Sequence, residues 1–316
     1  MIEPALPSLQ GGFFSSLCQP LPCTFPLKKD QTMPSPYYIC GPTASGKTRL
    51  ALQMADEFDG EIVNADAFQI YRGLEILSAA PTVEERNRAP HHLFSVQALA
   101  EKMDAARYFQ LAAPVIADIQ KRGKTPIIVG GSGLYLKFLT HGPAPAPPGD
   151  QNLRTELEKL SLSEIINRLR ELDPKEAAHQ TKQNSGNRRH LSRALEICLL
   201  TGKPASSFRR NFAQTPPDLR GTLITWPRAL LRERIVERTE LMLRNGALNE
   251  VRALPEEAGT VTQAIGVPEI RAFLSGDLDL PGTLEKIVTA TTRYAKRQEN
   301  WFRKENWLTS RDGRDL

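Results

Sequence analysis

Residues 41–48 read Gly41-Pro42-Thr43-Ala44-Ser45-Gly46-Lys47-Thr48, a glycine-bounded loop that closes on a lysine and a hydroxyl. The residues before it, Tyr37-Tyr38-Ile39-Cys40, are apolar enough for a buried strand. Those after it carry Leu50, Leu52, Met54, Ala55 and Phe58 at helical spacing. Strand, glycine loop and helix start make a phosphate-binding loop. Its backbone N–H groups and the following helix N-terminus form a concave anion site. Lys47 adds a point charge, and the Thr48 hydroxyl suits Mg²⁺. The chemistry is that of a diphosphate or polyphosphate, and the loop alone does not say which.

A second reactive group is Asp66, which ends the short apolar run Glu61-Ile62-Val63-Asn64-Ala65. In a parallel α/β sheet the ligand crevice lies beyond the carboxyl ends of the strands. Asp66 is thereby aimed at the crevice of the phosphate loop, as a proton acceptor or Mg²⁺ partner; a turn or helix-capping aspartate is the plainer alternative. The polar segment Ala67-Phe68-Gln69-Ile70-Tyr71-Arg72 follows. Gln69 can read a base edge, and Phe68 or Tyr71 can stack on a base or fill the core. The strand Thr125 to Val129 ends in Gly130-Gly131-Ser132-Gly133 without an acid, and no NKxD pattern occurs. Both gaps argue against a nucleotide motor or switch, and less strongly against a small-molecule kinase.

These groups need elements to hold them. Strands alternating with helices predict an α/β fold: a P-loop NTPase-like parallel sheet core with a small helical insertion domain. Helices are expected over 48–58, 104–122, about 230–254 and about 283–305, and a strand over 221–225. The Pro-rich run 141–149 marks a boundary. The core then comprises 33–140 and 218–316, with the helical insertion at 150–217. Residues 1–32, rich in Pro, Ser and Gly, read as a disordered leader or as sequence upstream of a start at Met33. They lack the basic and apolar regions of a signal peptide.

The chain has 316 residues, a net charge of +5 and four cysteines without metal-ligand spacing. That balance allows a polyanionic partner without requiring one. The cysteine pattern fits a reducing cytoplasm. No apolar stretch approaches the roughly 20 residues needed to span a bilayer, so no membrane partner is expected.

Several separate motifs, in order, make the resemblance specific. GPTASGKT at 41–48, NADAFQIYRGLEI at 64–76, APHHL at 89–93 and RGKTPIIVGGSGLYL at 122–136 are joined by RRHLSRALEICLLTGKP at 188–204. ERTELMLRNGALNEV at 237–251, QAIG at 263–266 and YAKRQENWFR at 294–303 complete the set. Together they resemble the tRNA dimethylallyltransferase (tRNA isopentenyltransferase) family over residues 37–305. The resemblance implies transfer of a dimethylallyl group from dimethylallyl diphosphate to N6 of adenosine 37, in the anticodon stem-loop of tRNA, by a cytoplasmic monomer with Mg²⁺.

It further implies residue roles. The phosphate loop holds the diphosphate, with Mg²⁺ on Thr48. Asp66 is the general base, Thr43 orients the reaction, and Arg228 completes the diphosphate clamp. RNA contacts are implied at Asp66, Ala67, Phe68, Gln69 and Ser132, and at Arg154, Arg189, His190, Leu191, Ser192 and Arg193. Others are implied at Gln263, Ala264, Ile265 and Gly266, and at Lys296, Arg297, Gln298, Trp301 and Arg303. The RNA backbone footprint also takes in Arg188, Arg293 and Lys304. The chain departs from the family pattern at Ala67, Ala80, Met103, Val267 and Pro268. An adenylate isopentenyltransferase, a kinase and a non-catalytic RNA binder are the rival readings.

Overall fold

The computed structural model describes residues 34–143, 145–183, 186–209, 218–255 and 258–316. The leader expected over 1–32 lies outside them. The first half contains β1 (Tyr37–Cys40), α1 (Lys47–Phe58), β2 (Gly60–Asn64), α2 (Glu75–Ser78), α3 (Val83–Arg88), β3 (His91–His92), α4 (Ala105–Lys121), β4 (Thr125–Gly130) and α5 (Gly133–His141). Four helices follow: α6 (Gln151–Glu158), α7 (Leu162–Leu172), α8 (Pro174–Gln183) and α9 (Arg188–Thr201). The chain closes with β5 (Arg220–Thr225), α10 (Arg228–Arg244), α11 (Ala247–Arg252), α12 (Val267–Leu274), α13 (Leu280–Phe302) and β6 (Leu308–Asp312).

The six strands form one sheet in the order β3-β2-β4-β1-β5-β6, and every pairing is parallel. Parallel strands need helical crossovers, which cover both faces and make the strands almost wholly apolar. The centre shows it: β2 is buried throughout, as are all but the first residues of β1 and β4. Tyr38, Cys40, Val63 and Ile128 pack with Tyr108, Ala112 and Tyr135 of α4 and α5. By pleat alternation Ile39, Ile62 and Ile127 face the other way, where α1 packs on β4 and β2. The carboxyl ends of β1, β2 and β4 therefore meet at one edge, which carries the loops 41–46, 65–69 and 131–132.

The helices α6 to α9 bury their own cluster around Ile165, Leu169, Leu191 and Leu195. The insertion expected over 150–217 thus carries four short helices in its described residues, and its last stretch, 210–217, lies outside them. The single helix expected over 230–254 is two, because the chain turns at Gly246 with φ 112°. Only glycine adopts that conformation without strain. Sequence reading also passes over β3 and the edge strand β6. Among the described residues no helix is long and apolar enough to cross a membrane.

Candidate active site

The phosphate loop leaves β1 between its neighbours β4 and β5. Gly41 passes so close to β5 that a Cβ would lie 2.9 Å from the Ile224 carbonyl oxygen. Ala44 (φ 62°) and Gly46 (φ 92°) take left-handed conformations. Such alternation turns successive backbone N–H groups toward one concavity, an anion nest that opens on the first turn of α1. The half-buried Lys47 folds across the loop, its Nζ donating to the Gly41 and Pro42 carbonyls at 3.1 and 2.7 Å. Burial brings its pKa down to about 8; nearby Asp66 opposes the shift and nearby Arg238 adds to it.

Asp66 follows β2 on a backbone held by Asn64, whose side chain is fully buried. Its Oδ1 accepts from the Phe68 amide at 2.9 Å and weakly from the Gln69 amide at 3.4 Å. One oxygen thus takes the turn role that sequence offers as the alternative, while the residue also lines a cavity of about 190 Å³. Thr43, Phe68, Arg238, Tyr294 and Arg297 share that lining. The expected juxtaposition of phosphate loop and carboxylate is present.

Arg238 is the residue that sequence reading missed. It projects from α10 into the same cavity, and burial lowers its pKa to about 10 against the pull of Asp66. The arginine expected to face the diphosphate, Arg228, instead sits exposed at the first position of α10, outside the cavity lining. The reason is helical phase. Leu231, Ile235 and Met242 form the buried stripe of α10, and Arg238 falls on that stripe. An arginine among apolar positions of one helix face was the available signal.

The long helix α13 closes the other side. Tyr294 and Arg297 line the cavity, and burial pushes the Tyr294 phenol up, with Asp66 adding to the shift. Gln298 is buried: its Oε1 accepts from the Thr43 amide at 2.8 Å, and its Nε2 donates to the Gly131 carbonyl at 2.9 Å. Ser132 Oγ accepts from the Ala67 amide at 3.0 Å. The outward positions of α13 and its end, Arg293, Lys296, Arg297, Arg303 and Lys304, are exposed. Trp301 is 42% exposed and Phe302 is core.

The other expected site residues divide by their partners. Gln263, Ala264 and Ile265 line the cavity, and Gly266 lies over Leu77. The Gln69 amide donates to the Ser78 and Ala79 carbonyls, fixing the cavity wall with the donor face proposed for a base edge. Tyr71 is fully buried, donating to the Glu101 carbonyl. In the insertion Arg189 and His190 are exposed, Ser192 is half-buried and Leu191 is core. Arg154 and Arg193 pair with the buried Glu196, and Arg188 donates to three carbonyls at the end of α6. Two departures are harmless locally: Val267 fills the core, and Pro268 stands in the first turn of α12, where no intrahelical N–H bond is lost.

Among the described residues no group of three His, Cys, Asp or Glu could hold a metal ion. Oxygen donors in and beside the loop include the Ser45 hydroxyl, buried without a partner, the Thr48 hydroxyl and the Asp66 carboxylate. Hard oxygen donors of this kind suit Mg²⁺, which keeps several waters and takes phosphate oxygens from its substrate.

A family model described as IPP transferase matches residues 69–305. The tRNA dimethylallyltransferase of Akkermansia muciniphila is 40% identical over 86% of this chain and 91% of its own length. That of Geobacter metallireducens is 43% identical over 85% and 89%. Among solved structures, the tRNA isopentenylpyrophosphate transferase of Bacillus halodurans superposes with a TM-score of 0.65 at 32% identity, covering 89% of this chain and 90% of that one. A eukaryotic dimethylallyltransferase acting on tRNA gives a TM-score of 0.75 at 28% identity, covering 89% and 74%.

Proposed function

The chain belongs to the tRNA dimethylallyltransferase (IPP transferase) family, and from this premise we infer that it prenylates N6 of adenosine 37 in tRNA, with dimethylallyl diphosphate as donor. The observation that carries the residue assignment is the single cavity shared by Thr43 of the phosphate loop, Asp66 and Arg238. It sets anion-binding groups beside a carboxylate, which is what an allylic diphosphate and an amine nucleophile require.

The reaction forms a bond from N6 to the allylic carbon and breaks the carbon–oxygen bond to diphosphate. Charge grows on the departing diphosphate, and the loop N–H groups, Lys47 and Arg238 stabilise it by preorganised electrostatics. Lys47 leaves its loop carbonyls to do so. Thr48 would hold Mg²⁺, which when bound would supply further charge neutralisation to the diphosphate. The N6 amine is a weak nucleophile, and Asp66 accepts its proton as the new bond forms. Its acceptor oxygen is the one that the Phe68 and Gln69 amides leave free.

The adenine reaches the cavity only by leaving the anticodon stack. Phe68 and Tyr294 offer ring surfaces for it, and the wall at Ser78, whose carbonyl Gln69 holds, bounds it. The exposed cations of α13, with Arg189 of the insertion, serve the RNA backbone. Residues 33–140 and 218–316 act as the catalytic core and 150–217 as the RNA-facing insertion. The direct test is incubation with labelled dimethylallyl diphosphate and total tRNA from a modification-deficient strain, followed by nucleoside mass analysis. Prenylation of free AMP in preference to an anticodon stem-loop, or phosphoryl transfer from ATP, refutes the reading.

A further inference from the structure

Gln298 stands in the stretch of α13 whose sequence points to RNA, yet both ends of its amide are spent on the protein. Its Oε1 takes the Thr43 N–H and its Nε2 takes the Gly131 carbonyl, with the side chain buried. We propose that Gln298 is a positioning residue for the donor diphosphate: it latches the Pro42–Thr43 peptide plane and thereby keeps the phosphate loop receptive to anions. This rests on the reading of the loop as the diphosphate site.

The argument is about one peptide plane. The Pro42 carbonyl accepts Lys47 Nζ at 2.7 Å and the Ser45 amide at 3.3 Å. The N–H on the other edge of that plane is the Thr43 donor held by Gln298 at 2.8 Å. When diphosphate draws Lys47 away from Pro42, the strongest contact on the carbonyl edge goes with it. Rotation of the 42–43 plane, which changes only ψ at 42 and φ at 43, turns the Pro42 carbonyl dipole toward the anion. The Gln298 bond opposes that rotation from the edge that Lys47 does not touch. Its counter-bond to Gly131 fixes the amide itself, and a Cβ at 131 would lie 1.9 Å from Gln298 Nε2, so a methyl there would push the amide aside.

An RNA contact and a donor latch predict opposite results. The test measures two affinities for Gln298→Met, which keeps the bulk and removes both hydrogen bonds. Inorganic pyrophosphate with Mg²⁺ is titrated calorimetrically, and an anticodon stem-loop by fluorescence anisotropy. The latch predicts pyrophosphate binding weaker by about tenfold, the scale of one or two lost hydrogen bonds, with stem-loop affinity unchanged. In steady state the donor KM rises more than the RNA KM. Should Gln298→Met fail to fold, Gly131→Ala carries the test, since its methyl displaces the Gln298 amide from the other side; the same loss is expected. Equal loss of both affinities, or loss of stem-loop binding alone, overturns the proposal, as does unchanged pyrophosphate affinity in a folded variant. If the unaltered protein binds no pyrophosphate, the donor-site reading itself fails, and the latch with it.

Discussion

Asn64 holds the backbone of Asp66 at both ends: its Oδ1 accepts the Asp66 amide at 2.8 Å, and its Nδ2 donates to the Asp66 carbonyl at 3.3 Å. The same Nδ2 reaches the Leu93 carbonyl at 2.9 Å, and the Asn64 carbonyl accepts the buried Tyr108 hydroxyl at 2.7 Å. A general base works only if its oxygen is within hydrogen-bond reach of the proton it takes. Asn64 is therefore the residue that sets where Asp66 stands.

Replacing Asp66 by Asn removes the proton acceptor and keeps the turn. Activity is expected to fall on the order of 10²- to 10⁴-fold, with stem-loop affinity intact. Replacing Asn64 by Ala leaves Asp66 in place but unheld. A kcat loss of about a hundredfold is expected from misplacement, together with about 1–3 kcal/mol of stability from unsatisfied buried groups. Single-turnover prenylation and thermal melting separate the two. An Asn64→Ala enzyme with normal kcat would show that the clamp is only structural.

Two arginines of α10 give a sharper contrast. Arg238 lines the cavity and Arg228 is exposed. Arg238→Gln is expected to weaken pyrophosphate binding by about ten- to a hundredfold, the worth of charge-assisted hydrogen bonds to an anion. Arg228→Gln should leave it within about twofold, as surface substitutions usually do. Titration calorimetry on both variants checks this, and the reverse ranking would restore Arg228 to the clamp.

The lowered pKa of Lys47 has a sign that can be tested. Its value of about 8 lies below the ordinary 10.5 because burial disfavours the ammonium. Between those values the unfolded chain holds more protons at this site, so its contribution makes the fold more stable as pH rises from 8 to 10.5. Diphosphate binding runs the other way, since it needs the charged form. Pyrophosphate affinity is expected to fall as pH passes 8, and binding just above that pH should take up a proton. Calorimetry in two buffers of different ionisation enthalpy reads the uptake. Lys47→Met should abolish it, and an identical uptake in that variant would assign the proton to the ligand.

Much of this site is legible in the sequence because local spacing encodes it. The loop at 41–48, the strand before it and the helix after it are one continuous run. Asp66 is found because a strand end aims it. What escaped depends on contacts across the fold. Gln298 meets a backbone amide 255 positions away. The edge strand β6 reads Leu-Thr-Ser-Arg-Asp and is partly exposed, so it carries no apolar run. The basic residues of the insertion look alike in sequence, and only burial of Glu196 tells Arg193 from Arg189.

That last distinction yields a prediction about which cations serve RNA. Glu196 is 1% exposed on the inner face of α9 and accepts from Arg154 Nε at 2.9 Å, Arg193 at 2.6 Å and the Asp150 amide at 2.8 Å. A buried carboxylate is tolerated only when it is paired and hydrogen-bonded. Arg193→Ala is expected to destabilise the protein by about 1–3 kcal/mol, and its cost should shrink in a Glu196→Gln background, where the charge needing a partner is gone. Arg189 is exposed one turn earlier. Arg189→Ala should leave the melting temperature alone and lower the salt slope of stem-loop binding by about one. Melting curves and salt titrations of Arg193→Ala, Glu196→Gln, their double variant and Arg189→Ala decide it. If Arg193→Ala instead lowers the salt slope and its stability cost is the same with Glu or Gln at 196, then Arg193 serves the RNA and not the buried acid.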